Sequence, residues 1–214
     1  MSEYKTTAQD NYIQVVGKTL KILKDTWQIT PRQDIRVHLA DEWWSGIFPH
    51  LTSIEYVWRR IYRSRDEAIW EKSAACHVPL SRCALILLRS RPAPRISEVS
   101  VGSRLFQPAS KEEQEHWRLC HEITHACTSH LHLPFWLNEG LAMLVTDLYA
   151  ERQTIQVSTR PVSRDEPTPS IDVVQLQNLS EDEWLAIYAQ SYWRTRQLFD
   201  EHPQLLQQAL CHSQ

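Results

Sequence analysis

Glycine is scarce in this chain, with four among 214 residues, which suits a helix-rich protein. No apolar run approaches the ~20 residues of a membrane-spanning helix. Met1–Lys5 lacks the charged and apolar regions of a secretion signal. The five cysteines are odd in number and lack framework spacing, so reduced thiols in a cytoplasm are expected rather than disulfides. Excess positive charge is missing too. A net charge of -3 offers no basic field for nucleic acid or an anionic membrane. What remains is ordinary for a folded domain: 42% hydrophobic and 23% charged residues, in a length suited to one domain.

One stretch carries chemistry. His121-Glu122-Ile123-Thr124-His125 matches H-E-x-x-H, which places two histidines four apart on one helix face. From this composition such a motif arises by chance in roughly one chain in thirty, so context decides. Ser110-Lys111-Glu112-Glu113 reads as a capping box that opens a helix. Leu119, Ile123, Ala126 and Cys127 form its apolar stripe, and His121 and His125 lie off the centre of that stripe. Pro134 ends the pattern, because the residue before proline avoids the α region. A second helix follows, with Leu137, Leu141, Leu144, Val145 and Leu148 on its buried side. A short connection favours antiparallel neighbours, which brings Glu139 back toward the two histidines. Zinc takes about four ligands and keeps one position open for catalysis. His121, His125 and Glu139 are the expected ligands of one Zn2+ per chain.

His-Glu-Ile-Thr-His followed by Trp136-Leu137-Asn138-Glu139-Gly140-Leu141-Ala142 resembles the gluzincin metallopeptidases. The W-L-N-E-G piece is similar to the third-ligand segment of the aminopeptidase N type, and the short gap to small peptidase MA-like bacterial proteins. The resemblance is sharp over 117–149 and weaker over 171–198. A metzincin would need Gly and His where Thr128 and Leu131 stand, and the thermolysin-type Asp after the third ligand is replaced by Met143. The resemblance implies an α+β, zincin-like domain with a small mixed sheet, paired site helices and a helical C-terminal part. It would be one domain over 1–214, divided as 1–109, 110–150 and 151–214. It also implies an edge strand that pairs with the substrate backbone, for which 96–106 is the candidate. No G-A-M-E-N-like anchor for a free amino terminus appears there. Tyr188-Ala189-Gln190-Ser191 resembles the family's Tyr-x-x-Gly segment, which makes Tyr188, rather than Tyr192, the expected oxyanion donor.

Elsewhere the periodicity predicts helices over 8–27 and 51–70, strands over 34–40 and 83–88, and a short strand over 154–159. A loop is expected over 160–170. Ser180–Glu183 forms a second capping box, and Pro203 precedes a last short helix. Arg59, Arg60, Arg63 and Arg65 read as a solvated face. His116 and His130 fall about 140° round the helix from the ligand histidines, while His132 lies on their stripe at the cleft's end. Cys120 and Cys127 are expected as packed thiols.

The function expected is zinc-dependent hydrolysis of peptide or protein bonds, with Glu122 as general base and no nucleic-acid or membrane partner. Two alternatives share the residues: a zinc-binding regulatory module that does not cleave, and a non-haem iron oxygenase built on two His and one carboxylate. The intact Glu122 counts against both.

Overall fold

The computed structural model describes residues 3–63, 67, 70, 74–89, 98–161 and 179–211. In chain order these form α1 (Glu3–Trp27), β1 (Ile35–Ala40), α2 (Trp43–Ile47), α3 (Ser53–Ile61), β2 (Ala75–Pro79), β3 (Ala84–Arg89), α4 (Glu98–Leu105), α5 (Lys111–Thr128), α6 (Phe135–Ala150), α7 (Glu181–Glu201) and α8 (Pro203–Cys211). The architecture is α+β, mostly helical, with a three-stranded mixed sheet in the order β1-β3-β2. None of the described helices is long and apolar enough to cross a membrane.

The central strand explains its own sequence. β3 is apolar at five successive positions, because helices or aromatic side chains cover both its faces. Ala84, Ile86 and Leu88 pack in one core with Leu119, Ile123 and Cys127 of α5 and with α1 and α6. Leu85 and Leu87 pack in a second core with Trp43, Ile47 and Trp70. Fully burying each such side chain stabilises the fold by roughly 1.5–3 kcal/mol. β1 pairs parallel to β3, with Ile35 opposite Ala84. β2 pairs antiparallel, with Ala75 opposite Leu88 and His77 opposite Ile86.

β2 is the edge strand beside the metal-motif helix, and it corrects the expectation for 96–106. There α4 runs over Glu98–Leu105, so the segment before the motif is helical rather than a sheet edge. Val101 and Leu105 are four apart, a spacing that serves a helix as well as a strand. Pro79 suits β2 because it is an edge, where a missing N–H leaves no ladder bond unmade. The strand expected over 154–159 is likewise absent. One bridge joins Ile155 to Phe106, and Val157–Thr159 forms a single 3-10 turn. The helix expected over 51–70 is α3, which ends at Ile61. Most residues beyond Arg63 in that stretch, Arg65 among them, lie outside the described residues, as does most of the expected loop over 160–170.

α5 begins at a complete capping box. The Glu113 N–H donates to Ser110 Oγ at 3.2 Å and the Ser110 N–H donates to Glu113 Oε2 at 2.9 Å, an exchange that satisfies two otherwise orphaned donors. The helix ends at Thr128, passes through a 3-10 turn at Ser129–Leu131, and stops at His132 in the left-handed region, φ 48°. Pro134 then caps α6, its carbonyl accepting from Leu137 and Asn138 N–H at 3.0 Å each.

α6 is buried on nearly every side. Against α7 the approach is so close that a Cβ on Gly140 would collide with the Ser191 backbone oxygen and the Thr195 side chain. Farther along, the buried Asp147 carboxylate accepts from Tyr192 OH at 2.5 Å, from Thr154 N and Oγ1 at 2.7 Å each, and from Arg196 at 3.4 Å. That network ties α6, α7 and the chain at Thr154 together.

Candidate metal centre

α5 and α6 bring three ligand-type side chains to one point. His121 Nε2 and His125 Nε2 lie 3.0 Å apart. Glu139 Oε2 is 3.2 Å from the first and Oε1 is 3.4 Å from the second. All three groups offer donor atoms within 4.8 Å of one another, and no other such group of three occurs among the described residues. The residues are a turn apart on α5 and on the first turns of α6, so the local spacing in the sequence becomes convergence in space. Gly140, next to Glu139, sets how closely this end of α6 meets α7.

The electrostatics are those of a centre built around a cation. Burial opposes charge on His125, but the adjacent Glu139 carboxylate outweighs it and raises His125 to about 9, helped by Asn138 and Glu122. Burial likewise opposes charge on Glu139, yet His125 and His121 hold its carboxyl well below the usual range. Glu139 Oε2 is buried and has no donor in hydrogen-bond geometry, although His121 Nε2 is within 3.2 Å. Two imidazole nitrogens and an unsatisfied buried carboxylate oxygen are the donor set that a divalent metal completes. His121, His125 and Glu139 can therefore hold a metal ion.

Glu122 sits beside them. Burial pushes its carboxyl up, His125 and His121 pull it down, Glu139 raises it, and the His77 backbone N–H donates a hydrogen bond that lowers it. The four side chains line a cavity of about 760 Å³, whose wall also includes β2 at Ala75–His77, Leu105, Phe106, Trp117, Arg118, Trp184 and Tyr188.

Tyr188 lies in this wall, edge-on to Phe135 with ring centroids 6.2 Å apart. Tyr192 is fully buried, with its hydroxyl on Asp147. Of the histidines that the sequence singled out beside the ligands, His116, His130 and His132 fall outside the wall. His132 is exposed past the end of α5 and does not line the cavity, and His116 packs edge-on to Tyr149. Cys120 and Cys127 are buried thiols raised to about 12 by burial.

The sequence reading missed His77, Asn138 and Arg118. Burial first, and His125 second, lower His77 to about 4, and its Nε2 is buried without a partner. Nothing in Ala-Cys-His-Val-Pro marked it. Asn138 was legible only as the neighbour of Glu139; it accepts from Thr128 Oγ1 at 3.2 Å. Arg118 was legible in principle. Gln114, Arg118, His121 and His125 recur at spacings of four, three and four, which is one row along a helix.

Comparison of the chain with family models, with curated proteins and with solved structures returns no match.

Proposed function

We propose that this chain is a zinc-dependent peptidase of the gluzincin type that cleaves within peptides. The observation that carries this reading is the convergence of His121, His125 and Glu139 in a cavity that also holds Glu122. Nitrogen and oxygen donors of this kind suit zinc. Bound zinc supplies a Lewis acid that polarises the scissile carbonyl and brings the pKa of a water down toward ~7.

The chain's own groups do the rest. Glu122, with burial raising its carboxyl, takes the proton of the attacking water and hands it to the leaving amine. The His77 N–H fixes that carboxylate from the β2 side. Tyr188 donates from the facing wall to the oxygen on which negative charge develops. A neutral phenol can do this without titrating at pH 7. The backbone of β2 at Ala75–His77 runs along the cavity as a sheet edge, the kind of surface on which an extended peptide adds a strand. Glu122 and Glu139 are the only carboxylates in the wall among the described residues. No other acid is there to hold a substrate's free amino terminus, which supports cleavage within chains over removal of single N-terminal residues.

A peptide-library digest by zinc-loaded protein, with Glu122→Gln as control, tests the reading. Internal cleavage by the wild type, lost by ~10²–10⁴-fold in Glu122→Gln with zinc retained, is expected. A zinc-loaded wild type inert on the whole library overturns it in favour of a non-cleaving zinc module, and iron in place of zinc in the purified protein favours oxygenase chemistry.

A further inference from the structure

Among the described residues the wall of the metal cavity holds one arginine, Arg118, and no lysine, and that arginine makes no ion pair. Arg118 lies on α5 one turn before His121, in the row formed by Gln114, Arg118, His121 and His125. Two carboxylates stand at salt-bridging helical distance from it, Glu115 three residues before and Glu122 four after. It bridges neither. Glu115 pairs with Lys111 at 3.9 Å, and Glu122 is turned into the metal group. Among the described residues Arg118 makes no ion pair and no hydrogen bond; its side chain is exposed, and the same cavity wall includes Phe106, Trp117, Trp184 and Tyr188.

We propose that Arg118 is a specificity-determining residue that anchors a carboxylate of the substrate. This rests on the peptidase reading for the identity of the substrate, and on the cavity alone for the identity of the anchored group. A guanidinium presents a fork of donors that matches a carboxylate in two parallel hydrogen bonds, and on the exposed Arg118 that fork is open to a substrate group entering the cavity. By helix geometry Arg118 lies ~4.5 Å along α5 from His121. An extended peptide advances ~3.3 Å per residue, so the anchored carboxylate falls on the order of one to three residues from the scissile bond. The polarity of the cavity agrees. Among the described residues its wall holds no acid beyond Glu122 and Glu139, and it offers Arg118 to a substrate acid. The carboxylate can be a free C-terminus or an Asp or Glu side chain, and the cavity recognises the chemistry they share.

The test uses N-acetylated hexapeptide libraries in three forms: neutral with a C-terminal amide, neutral with a free C-terminus, and amidated with one Glu. Each form is digested by zinc-loaded wild type, and each is also titrated into zinc-loaded Glu122→Gln, which reads binding without turnover. We expect a preference of about twofold to fivefold for one carboxylate form over the neutral amide, the range of a charge-assisted pair at an exposed arginine. The preferred form identifies the source. Arg118→Ala and Arg118→Gln, each checked for full zinc content, bring the ratio to about one. Arg118→Lys keeps part of it, because an ammonium supplies charge without the fork. A wild type with no carboxylate preference in either readout, or a preference that survives in Arg118→Ala, overturns the anchor. Arg118-dependent binding in Glu122→Gln with no turnover by the wild type removes the peptidase reading and leaves the anchor standing.

Discussion

The backbone N–H of His77 on β2 donates to the carboxylate of Glu122 on α5. One hydrogen bond thus joins the edge of the sheet to the residue placed as base. It also spends the outward N–H of the strand at the point nearest the metal group. An alanine at position 77 would keep that N–H, whereas a proline would delete it. His77→Pro should therefore cost hydrolysis more than His77→Ala does, at equal zinc content. Equal losses in the two variants would mean that the N–H does not orient the base.

The metal ligands make a sharper prediction. The purified protein should hold about one zinc per chain, and His121→Ala, His125→Ala and Glu139→Ala should each lose most of it by elemental analysis. Each removes one of three protein donors from a site whose remaining donors cannot complete a tetrahedron. Full zinc in Glu139→Ala would sink the third-ligand assignment.

Metal binding should release a proton. In the metal-free protein His125 is raised to about 9 by Glu139, so it is charged at pH 7, whereas a ligand imidazole is neutral. Apparent zinc affinity should rise by up to tenfold per pH unit from 6.5 toward 9 and flatten above that. Glu139 is held ionised throughout and contributes no proton. The same shift sets the stability of the metal-free fold. A raised imidazole stabilises the fold fully below its ordinary value near 6.5, and this contribution is lost as pH rises through 9. Titration calorimetry in two buffers of different ionisation enthalpy counts the protons. Binding with none released at pH 7 would show that His125 is neutral beforehand.

The site was legible where its geometry is local. His121 and His125 share a helix face by spacing alone, and the capping box at Ser110 and Glu113 set the start of that helix. Glu139 needed only one short connection to be brought back. What was not legible depends on pairing at a distance. β2 is five residues with a His inside and a Pro at its end, and only its pairing with β3 makes it a strand. The alternation through Val99, Val101 and Leu105 pointed to an edge strand, but the segment folds as α4. Asp147 went unread in the sequence, because its donors are Thr154, seven residues on, and Tyr192 and Arg196, 45 and 49 residues on.

Gly140 offers a test of how α6 is seated. A methyl group there meets the Ser191 backbone, which cannot rotate away as a side chain can. Gly140→Ala gains helix propensity of roughly 1 kcal/mol, but overpacking costs about 1–3 kcal/mol and should win. Because Glu139 is the adjacent residue, zinc affinity should fall with stability. Urea denaturation of the metal-free protein measures the first and a competitive chelator the second. An Ala variant more stable than the wild type would mean that the two helices can separate freely.

The two tyrosines of α7 should separate catalysis from stability. Tyr188 and Tyr192 are four apart, so each lies near the same helix face, yet their hydroxyls have different surroundings. Tyr192 OH donates to the buried Asp147 carboxylate at 2.5 Å, and burial and that carboxylate raise its pKa. Tyr188 lines the cavity with His121, Glu122 and Glu139. Tyr192→Phe removes one of the donors that compensate a buried acid, a loss of about 1–3 kcal/mol in the fold. It leaves the cavity wall intact, so kcat should change little. Tyr188→Phe removes the hydroxyl proposed as the oxyanion donor and should lower kcat roughly 10²-fold. KM, zinc content and the urea midpoint should stay close to wild type, since the ring keeps its contact with Phe135. Kinetics and urea unfolding of both variants decide the matter. If Tyr192→Phe loses turnover while Tyr188→Phe keeps it, charge on the oxyanion is met from the Asp147 side, and α7 presents its other tyrosine to the substrate.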